Sequence, residues 1–253
     1  MKNYPILEFD SERKSILNPT WSDQIKPPPT RAVACFFQDV LTGLRKEGRL
    51  QRIGALESEI GLNPIYSLDW QGQPILVFHP GVGAPLAAGF LEEVIAGGVR
   101  QVIACGGCGV LQADIVAGHP VVLTSAVRDE GTSYHYMAPG REACPSSKAT
   151  AAIEQALQAR GIDYLKGKSW TTDAFYRETP VRRQARVTEG CQVVEMEAAA
   201  FFAVATFRGI EFGQIVYGGD LVVPEGWDKR DWLDRKDARN LLFWLAVEAC
   251  ANF

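Results

Sequence analysis

The sequence predicts an α/β fold, a sheet with helices packed on both of its faces, and three features carry that expectation. Short apolar runs that read as buried strands alternate with helix-like stretches closed by glycine. The chain has 253 residues with 47% apolar content, enough to bury one large core. No internal repeat, low-complexity tract or convincing domain boundary interrupts the alternation after Arg31.

Residues 1–30 are polar and end in Lys26-Pro27-Pro28-Pro29-Thr30. Three successive prolines exclude regular helix, so 1–30 reads as an extended N-terminal arm or a loosely held terminus, and 31–253 as the folded domain. Residues 32–37 form a short apolar run and read as a buried strand. Residues 39–56 carry apolar side chains at Val40, Leu41, Leu44, Leu50 and Ile53, an imperfect helical stripe. Residues 65–70 and 74–79 flank Gln71-Gly72-Gln73 as a hairpin. Residues 84–96 read as a helix followed by Gly97-Gly98, and 101–104 and 121–125 as strands. Helices over 148–160 and 198–208 end at Gly161 and Gly209, where glycine accepts the left-handed conformation of a helix stop. A strand over 214–218 and a closing helix over 232–252 complete the series.

Composition narrows the function. A net charge of −4 and a pI near 5.5 argue against a nucleic-acid groove or an anionic membrane surface as partner. No apolar run is long enough to span a bilayer and the first residues lack a signal peptide's apolar segment, so a cytoplasmic location is expected. Six cysteines are scattered, and Cys105 and Cys108 alone have CxxC spacing. With no second pair and with histidines only at 79, 119 and 135, no metal is expected and small buried thiols are.

The most informative stretch is Val193-Val194-Glu195-Met196-Glu197-Ala198-Ala199-Ala200-Phe201, where two carboxylates and a methionine stand at the junction of an apolar strand and an Ala-rich helix. Acids in a first helical turn are favoured by the macrodipole, which accounts for one of the two. Other segments stand in order around it: Gly81-Val82-Gly83-Ala84-Pro85, Ile103-Ala104-Cys105-Gly106-Gly107-Cys108-Gly109, Trp170-Thr171-Thr172-Asp173-Ala174-Phe175-Tyr176, and Gly218-Gly219-Asp220. Together they resemble, from about Arg31 to Phe253, the nucleoside phosphorylase family that includes uridine phosphorylase, hexameric purine nucleoside phosphorylase and the methylthioadenosine nucleosidases. The resemblance implies a single-domain, three-layer αβα architecture with a mixed central sheet. It also implies cleavage of an N-glycosidic bond in a nucleoside with inorganic phosphate as co-substrate and no cofactor. Homo-oligomers, dimers or hexamers with sites at subunit contacts, are expected on the same ground.

Carried over residue by residue, Glu197 matches the carboxylate that accepts the ribose hydroxyls, and Met196 the side chain packed on the sugar. Asp220 matches the acid that protonates or hydrogen-bonds N7 of a departing purine and is the catalytic candidate. Phe175 and Tyr176 are expected to stack on the base or to be core aromatics. Glu195, two residues from Glu197, is expected to point elsewhere in a structural role. For the anion the candidates are the amides of Gly83, Gly106, Gly107 and Cys108, the first two glycine segments being read as turns, with Arg128 as a replacement cation.

Two departures bear on substrate. Where uridine phosphorylases read the base with Gln and Arg, this chain has Thr179 and Val181, with Arg177, Arg182 and Arg183 nearby; Asp220 points towards a purine instead. The phosphate loop of the family is replaced by Ala34-Cys35-Phe36-Phe37-Gln38-Asp39, and its second arginine by Ala104. Phosphorolysis is therefore set beside two alternatives. One is a hydrolase in which a carboxylate, Asp39 being the nearest, activates water; the other is a nucleoside-binding protein without turnover.

Overall fold

Residues 4–21 and 28–253 are described by a computed structural model. Its frame is one 11-stranded mixed sheet. The strands are β1 (Arg31–Cys35), β2 (Leu50–Ser58), β3 (Gly61–Trp70), β4 (Gln73–Phe78), β5 (Gln101–Val110), β6 (Pro120–Asp129), β7 (Glu142–Ala143), β8 (Leu165–Thr172), β9 (Cys191–Glu195), β10 (Glu211–Val223) and β11 (Gly226–Asp228). They lie in the order β11-β10-β6-β8-β9-β5-β1-β4-β3-β2, with β7 on β6. Because β10 also pairs with β5, the strands β5, β10, β6, β8 and β9 close into a ring. Part of the layered sheet is thus closed on itself, which leaves those strands without a free edge.

Helices α2 (Ala84–Gly97) and α5 (Ala198–Arg208) cover one face, burying Leu91, Phe201 and Phe202 with Leu76, Phe78 and Phe212. Helices α1 (Gln38–Lys46), α3 (Ser147–Ala159) and α6 (Lys236–Ala251) cover the other, around Leu41, Ile153, Leu242 and Phe243. α4 (Pro180–Thr188) packs beside β9. A smaller cluster of Leu111, Val127, Trp170, Cys191 and Val194 forms a third apolar centre. The three-layer arrangement with a mixed sheet is as expected.

Three local readings need correction. The stripe over 39–56 is a nine-residue helix followed by strand β2. Gly48 turns the chain at φ +72°, and Leu50 and Leu56 are buried by pairing with β3 rather than by a helical face. Residues 103–109 are not a turn but the body of β5. The segment from Trp170 is likewise strand β8 up to Thr172, with Trp170 wholly buried, so the loop begins only at Asp173. The described part of the N-terminal arm lies along its own chain. A Cβ on Gly97 would stand 2.6 Å from the Trp21 ring and 3.0 Å from Pro28, and Arg208 donates to the Arg13 carbonyl at 3.2 Å. Lys26 and Pro27 of the proline run lie outside the described residues. Among the described residues no helix is long and apolar enough to cross a membrane.

Candidate active site

At the junction of β9 and α5 the two glutamates have different environments. Glu195 accepts four hydrogen bonds: from the Ser169 and Thr171 hydroxyls at 2.7 and 2.6 Å on Oε1, and from the Glu197 and Ala198 amides at 2.8 and 2.6 Å on Oε2. It thereby ties β8 to the amides at the start of α5, which have no partner within the helix. Thr171 Oγ1 also accepts from the Ala199 amide at 3.0 Å. This network fixes the turn that presents Met196 and Glu197. Burial raises the Glu195 carboxyl, while its four donors pull the other way.

Glu197 is 6% exposed and accepts one amide hydrogen bond across the fold, from Gly83 to Oε1 at 2.6 Å. That amide is delivered by the Gly81-Val82-Gly83 turn, whose glycines have φ +81° and +89° and whose Gly83 is the N-cap of α2. Burial, and then the charge of Glu195, push the Glu197 carboxyl up to about 8. Burial raises both carboxyls; against it stand four donors at Glu195 and the backbone of Gly83 and Met196 at Glu197.

Asp220 owes its position to a bulge. In the β10–β5 ladder Gly218 pairs with Cys108 but Leu221 with Val110, so β10 carries one extra residue there. A Cβ at Gly218 would meet Val110 at 2.9 Å and one at Gly219 the Cys108 carbonyl at 3.1 Å, so the two glycines admit the close strand approach that a side chain would block. The Asp220 carboxylate then accepts the Trp227 indole N–H from β11 at 2.6 Å.

Glu195, Met196, Glu197 and Asp220 line one cavity of about 790 Å³, within the roughly 300–1,000 Å³ usual for small-molecule sites. Phe175 and Tyr176 stand at the same cavity, 50% and 89% exposed, so they are not core aromatics. Their rings are 4.2 Å apart. Glu178, directly after this turn, also lines the cavity; burial, then the charge of Asp220, push it up to about 7. Thr179 instead caps α4, Val181 is exposed, Arg182 pairs with Asp129, and Arg183 is held by the Val222 and Leu111 carbonyls.

Of the anion candidates, Gly107 and Cys108 line the cavity, whereas Gly83, Gly106 and Arg128 do not. Arg128 donates to Ser133 Oγ at 2.9 Å and to the Ala138 and Met137 carbonyls at 2.7 and 2.9 Å, and it lies over the Tyr134 ring. Burial lowers its pKa, and it does not line the cavity. Its three donating nitrogens are committed to scaffold, so the structure does not make it the replacement cation. Gly106, Gly107 and Cys108 lie in an extended strand paired with Val216, Tyr217 and Gly218. Successive amides of a strand point in opposite directions, so these three cannot converge as a nest. The Gly83 amide is already engaged by Glu197. Cys105 and Cys108 project to opposite sides for the same reason: one packs beside Cys35, the other donates to the Tyr217 carbonyl.

Where the resemblance leads one to expect phosphate contacts, β1 is followed by Phe36 and Phe37, both at the cavity wall. The one cation lining the cavity among the described residues is Arg239, which donates through Nε to Asp39 at 3.0 Å and lies over Phe37. Asp39 itself does not line the cavity. Gln214, the register partner of Ala104, does; it is 1% exposed and its Oε1 has no hydrogen-bond partner among the described residues. Glu178, Gln214, Trp227 and Arg239 were not singled out from the sequence. Only Glu178, next to Phe175 and Tyr176, carried a local signal; the other three reach the cavity through long-range packing.

The chain is similar to known proteins in sequence and in fold. Residues 31–241 match the family model described as the Phosphorylase superfamily. A guanosine phosphorylase of Halorubrum lacusprofundi is 33% identical over 203 residues, 77% of this chain and 84% of its own. A uridine phosphorylase of Thermococcus kodakarensis is 32% identical over 207 residues, covering 72% and 73%. Among solved structures, a uridine phosphorylase from Vibrio fischeri superposes with a TM-score of 0.74 at 23% identity, over 95% of this chain and 100% of that one. An AMP nucleosidase from Bacteroides thetaiotaomicron gives 0.72 at 21% identity, over 89% and 88%.

Proposed function

The chain belongs to the phosphorylase superfamily, and from that premise we propose that it cleaves the N-glycosidic bond of a purine nucleoside by phosphorolysis, giving free base and ribose 1-phosphate. The observation that carries this reading is the placing of Glu197 and Asp220 in one cavity with Met196 between strand and helix and an aromatic pair at the rim. In this reading Glu197 accepts the 2′- and 3′-hydroxyls in its ionised form, and Met196 packs on the sugar. The C1′–N9 bond breaks through a ribosyl cation-like state, as glycoside cleavage does. Negative charge from Glu197 favours that cation, and Asp220 gives a proton or hydrogen bond to N7 as the base departs. Phe175 and Tyr176 close over the base. An oxygen of inorganic phosphate bonds to C1′, and no cofactor is needed.

One observation favours water as a second reading. Arg239 is neutralised by Asp39, four acids (Glu178, Glu195, Glu197 and Asp220) face the cavity, and Gln214 offers a neutral amide with an open lone pair. Such a wall suits a water better than a dianion. Base release from guanosine, inosine, adenosine and uridine, each with and without phosphate, separates the readings. Ribose 1-phosphate formed only with phosphate supports phosphorolysis, equal release without it supports hydrolysis, and binding without release supports a nucleoside-binding protein. We also propose a homo-oligomer, dimer or hexamer, which sedimentation would test.

A further inference from the structure

The base end of the cavity holds a carboxylate that the mechanism above does not use. Glu178 follows the Phe175–Arg177 turn and lines the cavity together with Asp220, Val222 and Trp227. No hydrogen-bond donor of the protein reaches its carboxyl group among the described residues, whereas Asp220 has the Trp227 indole. Of the nearby arginines, Arg182 is held by Asp129, Arg183 by two carbonyls and Arg239 by Asp39, while Arg177 is exposed and does not line the cavity. A carboxylate at an apolar wall without a donor is matched by a ligand that brings donors.

We propose that Glu178 reads the Watson–Crick edge of the base and selects guanine, its two oxygens accepting the adjacent N1–H and 2-amino donors while Asp220 meets N7. This rests on the nucleoside-cleaving reading above and narrows its substrate. Two parallel charge-assisted hydrogen bonds give both strength and geometric selectivity, as they do between carboxylates and guanidinium forks. Hypoxanthine offers N1–H alone. Adenine sets an acceptor, N1, beside its amino group, and uracil flanks N3–H with two carbonyls, so each turns a lone pair towards Glu178. Burial and the charge of Asp220 place the Glu178 carboxyl at about 7, where arriving donors shift it to the ionised form.

The test is kcat/KM for guanosine, inosine, adenosine and uridine in the wild-type protein and in Glu178→Gln and Glu178→Ala. Guanosine is expected to exceed adenosine and uridine by about 100-fold, with inosine between, the scale of a lost charge-assisted bond left unpaired. Glutamine presents one donor and one acceptor, which complements adenine, so Glu178→Gln is expected to reduce the guanosine-to-adenosine ratio by about 100-fold and raise adenosine turnover. Glu178→Ala is expected to lower guanosine without that gain. In the wild type, guanosine kcat/KM should climb as pH rises through about 7 with Glu178 and further through about 8 with Glu197, and Glu178→Gln should remove the first rise and keep the second.

Wild-type protein that cleaves adenosine or uridine as well as guanosine overturns the proposal and leaves the nucleoside-cleaving reading standing. So does a ratio unchanged in both variants. If no nucleoside is cleaved, thermal stabilisation by guanosine over adenosine that disappears in Glu178→Gln supports the base reader while refuting the catalytic reading. Absence of any preference in that binding measurement overturns both.

Discussion

Replacing Glu197 by glutamine tests the buried carboxylate pair without needing a substrate. Glutamine keeps an oxygen for the Gly83 amide and removes the charge. In the folded protein the Glu197 carboxyl titrates at about 8, against an ordinary 4.5, because burial and the neighbouring Glu195 disfavour ionisation. Below pH 4.5 the group is protonated in both folded and unfolded chains and contributes no pH dependence. Between pH 4.5 and about 8 the unfolded chain ionises while the folded one holds its proton, so the wild type loses stability as pH rises. Above about 8 both are ionised and the loss is complete. At about 1.4 kcal/mol per pH unit, the ceiling is about 5 kcal/mol, and relaxation of the site will return less. Urea unfolding of the unliganded protein at about pH 5, 7 and 9 reads this directly. The glutamine variant is expected to lie nearest the wild type at pH 5 and to exceed it progressively at pH 7 and 9. Parallel stability curves for the two proteins across this range would refute the reasoning, because Glu197 would then titrate normally in the fold.

Three further outcomes are expected. Thr171→Val removes a donor to Glu195 and the acceptor for the Ala199 amide with little change of shape, and should lower stability by about 2 kcal/mol in urea unfolding; a loss near zero would mean the network does not hold the start of α5. Arg128→Lys should destabilise by about 3 kcal/mol through its lost hydrogen bonds while leaving the phosphate KM unchanged. A tenfold rise in that KM at unchanged stability would return Arg128 to the anion site. Trp227→Phe strips Asp220 of its indole donor and should lower kcat by about tenfold with KM little changed; equal kcat in steady-state assays would show that Asp220 needs no such support.

The clearest parts of the sequence are those where a local rule and the tertiary contact agree. Gly81 and Gly83 read as a turn and have positive φ; Gly161 and Gly209 read as helix stops and are. Gln71-Gly72 joins β3 to β4 as the hairpin reading requires. The runs that misled are those whose local pattern is ambiguous. Residues 39–56 hold a helical stripe only because Leu50 and Ile53 happen to continue the spacing, and pairing with β3 decides otherwise. Gly106 and Gly107 suggest a turn, yet they are strand positions emptied of side chains so that Phe36 and Tyr217 can approach, at 3.0 and 3.4 Å from where a Cβ would stand.

From residue order alone came the α/β class, the family resemblance, and Glu197, Met196 and Asp220 as a candidate set, because strand-to-helix junctions and Gly-Gly-acid signals are local in the chain. The sequence likewise showed that the familiar phosphate arginines are absent. What stands in the cavity instead was decided by the tertiary structure. Gln214 on β10, Arg239 on α6 and Trp227 on β11 are brought to it by ring closure, a β-bulge and helix packing, none of which leaves a periodic trace. The different states of Glu195 and Glu197 belong there too. Two residues apart at one strand ending, they differ in what the fold aims at each: two hydroxyls and two amides at Glu195, the charge of Glu195 and the backbone of Gly83 and Met196 at Glu197.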